Sequence, residues 1–204
     1  HWLNFRKLLD EVMMGVLFGV MMMTNTWDVA VYGLFLTIAS ILMIFRDSAS
    51  LMRLIRMAGV ILLFMALTAL PWFISFQPIS NGIRMVQERS PLWQLAVLWT
   101  GGIVVSLVAV LTEKKGKYSL PIWALALCII ILIIIPELVY AKDIYTDHPR
   151  ANTMFKLTYQ AAIMIGLLTG AVFGKLFDGG RSLDSARDDI GWWRWPAIII
   201  IGSI

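Results

Sequence analysis

The sequence predicts an all-α, polytopic transmembrane bundle, and three observations carry that reading. Of the 204 residues, 59% are hydrophobic and 15% charged, with a mean hydropathy of +0.79. A soluble domain is nearer half apolar and a quarter charged. Several apolar runs reach the roughly 20 residues that cross a bilayer core. The runs are continuous rather than alternating, which argues against a membrane β-barrel. The first expected partner is therefore the lipid bilayer.

Seven apolar segments follow one another, at 8–24, 27–45, 54–76, 92–112, 120–140, 153–177 and 192–204. They predict about six complete spans and a partial seventh. Asp10 and Glu11 interrupt the first, so its membrane part should begin near Val12. A tight turn is expected at Thr24-Asn25-Thr26-Trp27-Asp28, because the apolar stretch from Val12 to Phe45 is too long for one helix. Pro121 falls near the start of the fifth segment, where a missing amide is harmless. Pro71 and Pro136 fall near C-terminal ends and should bend or stop their helices. The Gly101-Gly102 pair and the Gly166, Gly170, Gly174 series suit close helix packing. The chain starts at His1 and stops inside an apolar run, so 1–204 reads as one membrane domain cut from a larger protein at both ends.

Charge placement predicts orientation. With His1 in the cytoplasm, twelve of the 17 lysines and arginines fall in cytoplasmic loops. Only Arg84, Arg89, Lys142, Arg150 and Lys156 fall opposite. The positive-inside rule favours this arrangement, in a cell membrane with three polar loops extracytoplasmic: 24–28, 76–91 and 137–156. Bases confined to short loops fit topology rather than nucleic-acid binding. The single cysteine, Cys128, lies in an apolar span and reads as a buried thiol. Phosphate-cradling glycine loops, Gly-x-Ser-x-Gly, His-x-x-x-His and Asp-x-Asp are all absent.

The polar loops hold the candidate site residues. Asp28 can sit in the first turn of the second helix, near its positive dipole end, with Thr or Asn as the cap; it is also a candidate site acid. Arg84 and Glu88 are four apart and can pair on a short interfacial helix. Alternatively, Arg84 or Arg89 can hold a phosphate. The third loop is richest. Glu137, Asp143, His148, Arg150 and Lys156 converge there, and charges at a membrane surface are costly unless paired or bound to something. Asn152 or Thr153 can cap the sixth helix, with Lys156, Tyr159 and Gln160 following at helical spacing. Glu137 is expected within salt-bridge reach of Arg150 or Lys156, or across a polar cavity from them.

Asn25-Thr26-Trp27-Asp28 with Tyr32, then Glu137-x-x-Tyr140-x-Lys142-Asp143-x-Tyr145, then Arg150-x-Asn152-Thr153-x-Phe155-Lys156-x-x-Tyr159-Gln160-Ala161, together resemble the YYY membrane-protein family. Those are large polytopic proteins of archaea and some bacteria, similar to the GT-C glycosyltransferases. Val29 and Ala30 stand where that pattern often has an aromatic-Pro pair. The resemblance implies transfer of a sugar from a polyprenyl-phosphate donor at the extracytoplasmic face. Such transfer needs an acid or base near the acceptor hydroxyl and cations at the leaving phosphate. Asp28, Glu137 or Asp143 are candidates for the first role. Arg84, Arg89, Arg150 and Lys156 are candidates for the second, with Asn152, Tyr159 and Gln160 beside them as substrate-binding candidates. The chemistry leaves room for a divalent metal, for which the chain offers no ligand motif. Two other classes stay open: a transporter or channel, and a non-catalytic structural subunit.

Overall fold

A computed structural model describes residues 2–47, 50–77, 82–113, 119–142 and 148–177. The order is α1 (Trp2–Thr24), α2 (Thr26–Asp47), α3 (Leu51–Ser75), β1 (Ile83–Met85), α4 (Leu92–Thr112), α5 (Ser119–Leu138), β2 (Val139–Ala141) and α6 (Ala151–Phe177). The helices coincide with the first six apolar runs. Five of them, α2 to α6, are long and apolar enough to cross a membrane. The expected six spans become five by this measure, because Arg6, Lys7, Asp10 and Glu11 crowd the first half of α1. The expected seventh segment lies outside the described residues.

The α5 sequence, Ser-Leu-Pro-Ile-Trp-Ala-Leu-Ala-Leu-Cys-Ile-Ile-Ile-Leu-Ile-Ile-Ile-Pro-Glu-Leu, is apolar all round. Such a helix has no solvent or lipid preference for one side and settles in the interior. It does so here, with Ile122, Cys128, Ile129 and Leu132 buried against α2, α4 and α6. Leu157, Ala161, Met164 and Leu168 supply α6's share of this core, and Val31 and Ile38 that of α2. Their spacing of three, four and seven residues is the stripe a packed helix needs.

The α1–α3 pair stands apart from that core; α3 packs chiefly on α1, and α1 joins the rest through α2. A Cβ on Gly15 would lie 2.7 Å from the Ile61 carbonyl oxygen, and one on Gly19 would lie 2.5 Å from Thr68 Cβ. The two backbones therefore touch through Gly15-x-x-x-Gly19, which the sequence reading passed over. The glycines singled out instead behave differently. Gly101, Gly166, Gly170 and Gly174 face open space, and only Gly102 is closed in, by Ile165.

Two short strands tie the loops together. β1 and β2 pair antiparallel, Ile83 with Ala141, Arg84 with Tyr140 and Met85 with Val139. Val86 N–H donates to the Leu138 carbonyl at 2.9 Å, and Lys142 N–H to that of Gly82 at 2.9 Å, extending the ladder at both ends. Gly82 enters it with φ +87°, a conformation that favours glycine. The short helix expected around Arg84 and Glu88 is thus a strand followed by a bend, and both side chains are exposed with no ion pair among the described residues.

Candidate functional site

All three polar loops meet at one end of the bundle, joined by two separate hydrogen-bond networks. In the first, Glu137 sits in the last turn of α5, directly after the buried Pro136. α5 continues only to Leu138 beyond that proline. Glu137 Oε2 accepts from Arg150 at 2.9 Å and from the Ser90 amide at 2.8 Å. Its Oε1 accepts from the Ser90 hydroxyl at 2.9 Å, and Arg150 donates to that same hydroxyl at 3.1 Å. Glu137 is 8% exposed, so an unmatched charge there would be costly. Each oxygen has its own donor, which answers that cost. The expected pairing of Glu137 with Arg150 is present. Acid and base are in direct contact rather than on opposite walls of a cavity, and the Ser90 hydroxyl bridges the two.

Arg150 stands immediately before α6, whose first turn is fixed by Met154 N–H donating to the Arg150 carbonyl at 2.8 Å. The expected capping role of Asn152 or Thr153 shifts accordingly: both are already inside the helix. Thr153, 2% exposed, accepts instead from the Ala141 amide at 3.0 Å. It serves the outward-facing edge of β2 rather than the helix terminus.

The second network joins α2 to α6. Asn25 alone separates α1 from α2, and its carbonyl accepts from the Asp28 amide at 3.0 Å. Asp28 occupies the first turn of α2 as expected. Its Oδ1 accepts from Asn25 Nδ2 at 2.9 Å and from Gln160 Nε2 at 2.9 Å. Gln160, 7% exposed, in turn accepts from the Tyr32 hydroxyl at 3.3 Å. Asp28 Oδ2 takes no hydrogen bond among the described residues and is not sealed in. One helical turn before Gln160, Lys156 holds its ammonium over the Trp27 ring, 5.7 Å from the centroid, within cation–π range. Lys156 makes no ion pair among the described residues.

The remaining candidates are placed less centrally. Tyr159 is 47% exposed and stacks on Phe155 at 5.9 Å, turned away from the face that carries Gln160. Arg84 and Arg89 are exposed at the β1 side of this end. Asn152 is half-buried at the start of α6. Asp143 lies outside the described residues. No group of three or more His, Cys, Asp or Glu that could hold a metal occurs among the described residues. Ser90 is a site residue the sequence did not single out, because a serine before Pro91 carries no signal of its own. Tyr32 stands in the motif with Asp28 but was given no site role, although it follows Asp28 by one helical turn and was readable from that spacing.

Residues 3–131 and 103–165 match the family described as uncharacterized membrane protein (DUF2298). The chain belongs to that family. No curated protein and no solved structure matches it. Membership agrees with the apolar helices in making this an integral membrane protein in contact with lipid.

Proposed function

We propose that this membrane domain belongs to a glycosyltransferase that takes a sugar from a polyprenyl-phosphate donor at the extracytoplasmic face. The observation that carries the reading is the contrast between the two carboxylates at the loop end. Glu137 has both oxygens engaged by protein donors. Asp28 has one oxygen anchored by Asn25 and Gln160 and the other without a hydrogen bond among the described residues. An anchored carboxylate with a free lone pair is what a general base for an acceptor hydroxyl needs. Lys156, on the helix that anchors Asp28, supplies a cation with no acid partner among the described residues for the charge that grows on the leaving phosphate. Glu137 and Arg150 hold the end together and do not act on substrate.

The polar residues also speak against a transport path. Hydroxyls within the spans bond back to their own helices: Thr37 to Gly33, Ser106 to Gly102 and Thr169 to Ile165, each at 2.8 Å. That leaves the span interiors apolar, whereas transporters place polar groups near the midplane. The structural-subunit reading draws on the closed Glu137–Arg150–Ser90 network.

The deciding experiment uses purified full-length protein in lipid nanodiscs with short-chain polyprenyl-phosphate sugars. Sugar release to acceptor or water is expected, with Asp28→Asn lowering kcat by roughly a hundredfold or more, as for loss of a general base. Lys156→Gln should lower kcat while thermal stability holds. Neither binding nor consumption of any polyprenyl-phosphate sugar defeats the proposal. A stability loss in Asp28→Asn with no activity to lose supports the structural subunit.

A further inference from the structure

The β1–β2 ribbon begins where the membrane-crossing helix ends, since Val139 follows Leu138, the last residue of α5. It is therefore held at the level of the bilayer surface. Its side chains alternate between two faces, as strand geometry requires. One face carries Ile83 and Met85, opposite Ala141 and Val139; the other carries Arg84 opposite Tyr140. Val139 and Ala141 are half-buried, but Ile83 is 77% and Met85 68% exposed. Two large apolar side chains thus project from one face of a ribbon, with no protein against them among the described residues.

The surroundings point to lipid as what covers them. Arg84, on the opposite face, and Arg89, just beyond the ribbon, are exposed and make no ion pair among the described residues. Anionic headgroup phosphates complement them. The neighbouring helix ends carry aromatic residues at the same level. Trp72 and Phe76 stack at 3.9 Å at the end of α3, and Trp93, 66% exposed, opens α4. Aromatic side chains gather at membrane–water boundaries.

We infer that the β1–β2 ribbon is an interfacial membrane anchor, laying Ile83 and Met85 into the headgroup–acyl boundary while Arg84 and Arg89 engage lipid phosphates. Residues 82–91 then lie on the bilayer instead of standing in water. This anchor is independent of any transferase activity.

The test is depth-dependent fluorescence quenching on full-length protein in phosphatidylcholine vesicles containing phosphatidylglycerol. Bimane is attached at Ile83→Cys, Arg84→Cys or Met85→Cys; the native Cys128 is buried and serves as the unlabelled background. Expected are strong quenching by shallow doxyl lipids at 83 and 85, and iodide quenching roughly threefold weaker there than at 84, as for side chains below the headgroups. Iodide reaching 83 and 85 as readily as 84 overturns the proposal. Protection of 83 and 85 from both quenchers overturns it too, because protein and not lipid then covers the face. A second measurement needs no labelled variant. The 13C-methyl signal of Met85 in the unsubstituted protein, assigned by its loss in Met85→Leu, should broaden with doxyl lipid and not with aqueous gadolinium chelate. The opposite pattern refutes the anchor.

Discussion

The α1–α3 pair and the α5–α6 pair are both close helix contacts, held by different means. Where α1 meets α3, backbone approaches backbone through Gly15 and Gly19. The ion pair there joins Glu11 to Arg56 at 2.7 Å, with the Arg56 side chain 55% exposed, and the second Glu11 oxygen is buried without a hydrogen-bond partner among the described residues. Where α5 meets α6, bulky side chains such as Ile129, Leu132, Leu157 and Met164 fill the contact. The ion pair at its end has a donor on each carboxylate oxygen. Without water to drive apolar faces together, membrane helices associate through such packing and through polar contacts. The lesson is that the first pair depends on the absence of atoms and the second on a complete polar set, so they should fail to different substitutions.

Removing the carboxylate in Glu137→Ala should have the largest effect, since it strands Arg150 and Ser90 in a mostly buried setting. A loss of about 3 kcal/mol is expected, read as a lowered unfolding midpoint in detergent. Arg150→Ala should cost less, because Ser90 still donates twice to Glu137. Equal effects would show that Ser90 contributes nothing. Next comes Gly19→Leu, which pushes α1 from α3 and should cost about 1–3 kcal/mol by overpacking. Crosslinking between cysteines placed on the two helices should fall in parallel. Gln160→Leu removes two interhelical hydrogen bonds and is expected to cost about 1 kcal/mol, at an average of about 0.6 kcal/mol for each such bond in a membrane. The same substitution should leave Asp28 Oδ1 with Asn25 Nδ2 alone and free the Tyr32 hydroxyl. Gly166→Ala should be the smallest, within about 0.5 kcal/mol, because nothing lies within 4 Å of its added Cβ. A large loss there would mean that an uncounted partner covers α6.

How much of this was legible follows from which signals are local. The helices were readable because each is a single long apolar run, and α1 to α6 fall close to the expected limits. Charges on loops also survive as signals, so the gathering of Asp28, Glu137, Arg150, Lys156 and Gln160 at one end could be anticipated. The strand pair could not. Ile83-Arg84-Met85 and Val139-Tyr140-Ala141 are three residues each, too short for a period of two to register. Once that pairing was missed, Ser90 had no visible reason to meet Glu137, and Thr153 looked like a cap. The glycines failed for another reason. Gly166, Gly170 and Gly174 repeat at a spacing of four, as do Gly15 and Gly19, but spacing alone does not say which stripe has a neighbouring helix to touch.

The ribbon also imposes an order of assembly. Residues 82–86 follow α3 in the chain, whereas their partners at 138–142 begin at the last residue of α5. The first strand is therefore made and exposed while α4 and α5 are still being synthesised and inserted. Ser90 waits with it, because Glu137 arrives at the end of α5 and Arg150 later still. Until then the loop has unpaired backbone amides and no carboxylate to bind. Closure of the ribbon can occur only once the central helix has crossed, so it acts as a latch that records completed insertion. A chain stalled before Leu138 should leave the loop after α3 open to protease, and one released beyond Arg150 should have it clipped shut.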